Sequence, residues 1–361
     1  VQCERFALRQ FRFLMGMFCL AATVLFTSYA VAQETADDAV ATVQRAHTMT
    51  KNAKTIEDYS AIISMCEQAL AAGLDQQWID YTNRLLAWTY DNRGEQYVEE
   101  GQEQEAFNDF SQAIEYDATR WKALHNRAVS NAMFGNFEDA LADFTSTIEL
   151  NGNFGDAFFN RAEVLYELGQ YEASIEDYNQ AARLMPRDSA VYNSRGHAYY
   201  RLGDYQAAVR DYTQAIRYDP QNAAAYTNRG DAYADKGRFP QAASDYRSAI
   251  RIDPNLGRAY QSAAWLMATC PDEQYRNPQL ALQAANRAIE LDGREGNYRY
   301  LDTLAAAFAC NERFDEAIAT LEEAIESAPD DLQEAYSERL KMYRADEPYL
   351  DGWRIDVSER Q

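Results

Sequence analysis

The 361-residue chain is 47% hydrophobic, contains only eight prolines and carries a formal charge of -23. That apolar content is enough for a large buried core and excludes an intrinsically disordered chain. Lysine occurs only at Lys51, Lys54, Lys122, Lys236 and Lys341, so no basic stripe exists and nucleic-acid binding is disfavoured; the surface suits basic proteins or cations instead.

At the start of the chain, Arg5, Arg9 and Arg12 precede an almost wholly apolar run from Phe13 to Phe26, and Ala30-Val31-Ala32 follows. A positive region, a short apolar stretch and a small-x-small triplet predict a signal peptide over 1–32, cleaved after Ala32. The competing reading is an uncleaved anchor; the run is short for a span, and small residues follow it directly. The expectation is a periplasmic or secreted protein with no stable membrane span after cleavage. Residues 33–55 read as a linker or helix, 56–72 as the second helix of a pair, and 78–98 as an extended first helix.

From there the chain repeats itself. Gly101, Gly135, Gly169, Gly203 and Gly237 recur at intervals of 34. Four further columns keep step: Ala106, Ala140, Ser174, Ala208 and Ala242; Asp109, Asp143, Asp177, Asp211 and Asp245; Phe110, Phe144, Tyr178, Tyr212 and Tyr246; Arg93, Arg127, Arg161, Arg195 and Arg229. Each period reads as two amphipathic helices. Over Ala190–Leu202 the large apolar residues Val191, Tyr192, Tyr199 and Tyr200 fall at helical spacing, and Gly203 ends the helix. Asp219-Pro220 and Asp253-Pro254 stop the second helices. The parallel arginine and aspartate columns predict a repeated salt bridge between the helices, because a partly buried arginine requires a carboxylate.

Residues 225–254, AYTNRGDAYADKGRFPQAASDYRSAIRIDP, resemble the tetratricopeptide-repeat family in their order of aromatic, small residue, Tyr, Gly, aromatic, Ala, Tyr, Ala and Pro. The resemblance implies an all-α, right-handed superhelical solenoid of about seven helix-turn-helix repeats over 56–345. Regular repeats fall at 87–120, 121–154, 155–188, 189–222 and 223–256, and irregular ones at 257–297 and 298–329. The spacing from Ala242 to Ala281 is 39 and places an insertion around 270–278. A partial repeat precedes the array, a capping helix follows over 332–345, and 346–361 is expected to be a flexible tail. Three cysteines follow the signal: Cys66, Cys270 and Cys310. Either Cys270 and Cys310 pair, or all three are small buried apolar residues.

Enzyme motifs are absent, and neither cofactor nor metal is expected. His47, His125 and His197 lack metal-ligand spacing and read as polar residues on helix surfaces. In tetratricopeptide-repeat proteins that clasp an extended peptide, an asparagine on the first helix projects into the concave groove. The resemblance carries that role to Asn92, Asn126, Asn160 and Asn228, with Ser194 a weaker rung; an amide holds a peptide backbone by donating and accepting. The alternative is an asparagine kept for packing or a local hydrogen bond. Helical spacing puts the residues three and seven positions on along the same face. These are Glu95 and Glu99, Val129 and Met133, Glu163 and Glu167, His197 and Arg201, Asp231 and Asp235. They line the groove for a partner with spaced Lys or Arg, or else form a solvated face of an acidic protein. The function expected is a non-enzymatic adaptor binding a peptide or protein in its groove. The alternative is a structural subunit of an envelope assembly that uses its convex face and ends.

Overall fold

The computed structural model describes residues 37–351, and among these it is all-helical. The signal-peptide reading lies outside the described residues. Two compact units divide the described residues, with the boundary between Ala157 and Phe158. In the first, α1 covers 37–49, followed by α2 Ile56–Ala72, α3 Gln76–Glu99, α4 Glu103–Tyr116, α5 Trp121–Met133 and α6 Phe137–Leu150. α7, Gly155–Glu167, leads into the second. That unit continues with α8 Tyr171–Leu184, α9 Ser189–Arg201, α10 Tyr205–Tyr218, α11 Ala223–Asp235, α12 Phe239–Ile252 and α13 Gly257–Thr269. A 3-10 turn at Glu273–Tyr275 then precedes α14 Pro278–Asp292, α15 Tyr298–Ala309, α16 Phe314–Ser327 and α17 Asp330–Arg344. Each unit is a stack of antiparallel helix pairs, a helical-repeat solenoid architecture.

Local chemistry sets the boundaries. Asp204 caps α10 by accepting from the Ala207 amide at 2.9 Å. At the end of α9 the Asp204 amide reaches back to the Tyr199 carbonyl at 3.0 Å. That closure requires the left-handed backbone of Gly203, whose φ is +80, a conformation glycine adopts without a side-chain clash. α1 is a packed helix, not a linker: Ala39, Val43 and Ala46 lie one turn apart and are buried with Ile62, Cys66 and Leu86.

Small and large residues alternate through the core. Ala106, Ala140, Ser174, Ala208 and Ala242 expose no surface at all, which lets the paired helices approach closely. The aromatic column drops onto the first helices. A Cβ placed on Gly230 would lie 2.5 Å from the Tyr246 ring, so only the bare backbone leaves room for that ring where it sits. Cys66 and Cys270 are buried, Cys310 is half-buried, and all three are free thiols. Burial pushes the Cys66 thiol up to about 12.

The expected salt bridges are present in every regular repeat. Arg93–Asp109, Arg127–Asp143, Arg161–Asp177, Arg195–Asp211 and Arg229–Asp245 close at 2.6–2.8 Å. Each is bidentate, with Nε and Nη2 donating to the two carboxylate oxygens. The Asp211 side chain is 8% exposed and that of Arg195 16%, so removing either partner strands a shielded charge. Asp211→Ala is expected to cost about 3 kcal/mol of unfolding free energy, read from urea unfolding followed by circular dichroism. Replacing both partners by leucine should recover part of that loss; a single substitution without effect would refute the structural role.

Candidate functional site

The first helix of each pair carries the asparagine column, and the structure places those residues differently from a free ladder. Asn126 Nδ2 donates to Asp91 Oδ1 at 3.2 Å and, more weakly, to Glu95 Oε1 at 3.4 Å. Asn228 Nδ2 donates to Asn193 Oδ1 at 3.0 Å, and the residue is only 2% exposed. Asn92 donates to the Trp88 carbonyl one turn back, at 2.7 Å. Asn160 and Ser194 are half-buried. The amides of Asn126 and Asn228 thus tie one first helix to the preceding one, and the peptide-reading ladder is corrected to an inter-repeat tie there. The reason is geometric: neighbouring first helices pass close enough for residues 35 apart to bond. Gln261 Nε2 donating to Thr303 Oγ1 at 2.8 Å does the same job between α13 and α15.

The flanking residues separate into two groups. Of those lying three positions on, two serve the core: Glu163 accepts the Tyr178 hydroxyl, while Asp231 accepts from the Tyr246 hydroxyl at 2.9 Å and from Arg258 Nη2 at 3.0 Å. Glu95, Glu99, Glu167 and Met133 are exposed, and Val129 is half-buried. Arg201 lays its guanidinium over the Tyr171 ring at 4.8 Å. His125 and His197 are not solvated surface residues. His125 packs on Phe144 and Phe154 with ring centroids 5.5 and 4.8 Å away, and burial lowers its pKa to about 4. His197 is half-buried with its ring against Tyr212 and is likewise lowered by burial.

Within the second unit the first-helix face deepens into a cavity of about 330 Å³ between α11, α13 and α15. Its charged lining is four aspartates, Asp231, Asp235, Asp302 and Asp351, facing Arg258 and Arg299. The Tyr200 hydroxyl donates to Asp235 Oδ2 at 2.5 Å, and the Trp265 indole to Asp351 Oδ2 at 2.8 Å. Arg339 Nη2 reaches Asp302 Oδ2 at 3.1 Å and lies over the rings of Trp265, Tyr336 and Tyr349. The Asp351 amide donates to the Thr269 carbonyl at 2.8 Å. Residues 346–351 are therefore strapped back onto α13, which corrects the flexible-tail reading over that stretch; 352–361 lie outside the described residues.

Sequence reasoning found Asp231 and Asp235 but missed Asp302, Asp351, Trp265 and Arg339. The register signal was present, because Thr303 follows Asp302 at the place of the asparagine column. The longer spacing through the insertion hid it.

Burial pushes the Asp235 carboxyl up to about 6; the Tyr200 hydrogen bond opposes this, and the charges of Asp231 and Asp351 add to it. Burial also raises Asp302 to about 7, against the pull of Arg339. A carboxylate with a raised folded-state pKa makes folding take up a proton. Stability from Asp235 therefore declines as pH rises from about 4, its unfolded value, and stays reduced above about 6. Asp235→Asn keeps an acceptor for Tyr200 and removes that cost. At pH 8 it should raise the melting temperature by about 2–4 °C, with the gain closing toward pH 4; a lowered melting temperature at pH 8 would contradict the assignment.

This arrangement defines a helical-repeat protein whose first helices present an acidic, partly cavitated face. Residues 193–256 match a tetratricopeptide-repeat model, 162–203 a TPR-repeat model and 299–331 a further tetratricopeptide-repeat model. The chain is a tetratricopeptide-repeat protein. No curated protein matches it. Among solved structures it is similar to a tetratricopeptide repeat protein from Parabacteroides merdae, with TM-score 0.53 and 16% identity over 72% of this chain and 98% of that one. A chain of the APC/C hetero-tetramer Cut9–Hcn1 superposes with TM-score 0.57 at 14% identity, over 83% of this chain and 54% of that one. YrrB, a TPR protein with an unusual peptide-binding site, is similar at TM-score 0.44 and 22% identity, over 48% of this chain and 89% of that one. At these identities the first two likenesses establish the fold alone.

Proposed function

We propose that this protein is a non-enzymatic interaction scaffold acting outside the cytoplasm, and that it holds a basic segment of a partner protein against the first-helix face of residues 158–351. Stacked helix pairs offer an extended surface for protein recognition, and fold alone names no ligand. The observation that carries the reading is the acid-lined cavity on that face, with the exposed Glu167 elsewhere on it. Carboxylates at such a surface raise the encounter rate with a basic chain and penalise an acidic one. Export rests on the arginine-led apolar run and the Ala30-Val31-Ala32 triplet.

Binding is tested with a library of short peptides of graded charge, presented to the full chain. Basic peptides should be enriched, and the signal should fall as salt rises from about 0.05 to about 0.5 M through screening. Glu167→Lys should weaken capture about tenfold with an unchanged melting temperature. Enrichment of acidic peptides, or indifference to both salt and Glu167→Lys, refutes the reading and leaves the structural-subunit alternative. Export has its own test. Amino-terminal sequencing of the protein recovered outside the cytoplasm should begin at Gln33, and protein retained inside with the arginine-led segment intact would refute it.

A further inference from the structure

Asp302 is the starting point. It is only 6% exposed and lines the cavity, and Arg339 occupies its Oδ2. Its Oδ1 accepts no hydrogen bond among the described residues. A shielded carboxylate oxygen without a donor is unfavourable, so this wall of the cavity is built to receive one.

Two more carboxylates present themselves in a similar way. Asp235 gives Oδ2 to Tyr200, and Asp351 gives Oδ2 to Trp265 while its Oδ1 takes only a long 3.2 Å bond from Tyr349. Asp231, by contrast, has both oxygens engaged. The cavity therefore offers one oxygen each from Asp302 and Asp235, and from Asp351 an oxygen that only Tyr349 engages, at 3.2 Å. These do not converge: among the described residues no three acidic, histidine or cysteine groups are placed to share a metal ion. Separated acceptors suit a guanidinium better than a point charge, because its five donors fan out over a plane. It is also the more weakly hydrated cation and stacks on aromatic rings. The chain already demonstrates that chemistry here, with Arg339 paired to Asp302 and lying 5.3 Å from the Trp265 ring centroid.

We infer that the cavity is a pocket for the guanidinium of an arginine carried on a bound partner segment, seated among Asp235, Asp302 and Asp351 beside Trp265. This rests on the reading that the first-helix face binds a basic protein segment. It adds which basic residue is selected and which aspartates select it.

The test uses the full chain at pH 8 and blocked Gly-Gly-X-Gly-Gly peptides with arginine, lysine or citrulline at X, citrulline being the uncharged isostere of arginine. The reporter is the Trp265 indole N–H resonance, which is hydrogen-bonded to Asp351 in the free chain. The arginine peptide should bind about tenfold more tightly than the lysine peptide, and the citrulline peptide should leave the resonance in place. Asp302→Asn and Asp235→Asn should each weaken the arginine peptide about tenfold or more. Asp235→Asn touches no ion pair, so it reads binding even where Asp302→Asn disturbs Arg339. Citrulline binding as well as arginine, or an unchanged affinity in Asp235→Asn, overturns the pocket. Free arginine binding more tightly than the blocked peptide also overturns it, and assigns the cavity to a small guanidinium compound. If the arginine peptide fails to bind while Glu167→Lys still weakens capture of basic peptides, the pocket falls and the acidic-face reading stands; if neither effect is seen, both fall.

Discussion

One side chain per repeat, the arginine of the first helix, fixes most of this architecture. Its fork closes on an aspartate of the second helix and so sets how the two helices of a pair lie against each other. The remaining nitrogen reaches backward. Arg93 Nη1 donates to Ser60, Arg195 Nη1 to Asn179 and Arg229 Nη1 to Thr213, each on the second helix of the preceding pair. A single guanidinium therefore couples the geometry inside a repeat to the stacking of the next. Lysine, a point charge without a fixed fork, has no equivalent. The neighbouring packing follows from the same constraint. With the helices held close, the Tyr246 ring has room only over the bare backbone of Gly230, and Ala208 and Ala242 must stay small where the helices cross.

This part of the fold was legible because each requirement recurs. A left-handed turn needs glycine, a close crossing needs alanine or serine, and a buried fork needs a carboxylate, so each leaves a column at an interval of 34. The asparagine column shows where such reading stops. Spacing identifies the helix face that Asn126 and Asn228 occupy, but not what lies across from it. Their bonds to Asp91 and Asn193 depend on how adjacent first helices tilt. That tilt is a property of the stack, and no single repeat encodes it.

The C-terminal half of the site was hidden for a different reason. Asp302 and Arg339 lie past the insertion, which has shifted their register, so no column announces them; Trp265 precedes it, 34 residues after Asp231, but is an aromatic residue in a column read for its charge. Asp351 sits in a stretch whose composition reads as a tail. Its attachment comes from long-range contacts with α13, through the Trp265 indole and the Thr269 carbonyl, and such contacts have no periodic signature.

The same shift has an energetic consequence. In the regular repeats the arginine fork neutralises the buried aspartate of the second helix, and neither of its oxygens is left free. Around the cavity the carboxylates come from different elements, Asp235 from α11, Asp302 from α15 and Asp351 from the segment after α17, and each is only half-neutralised; on α15 Leu304 takes the place of the arginine. Arg339 covers one oxygen of Asp302, while tyrosine and tryptophan cover one each of Asp235 and Asp351. Burial then drives Asp235 and Asp302 toward protonation, the opposite of what a well-formed ion pair does. A cluster serving stability alone would have followed the rule that the chain applies five times elsewhere. Its departure beside a cavity lined by four aspartates is the pattern expected where stability yields to binding.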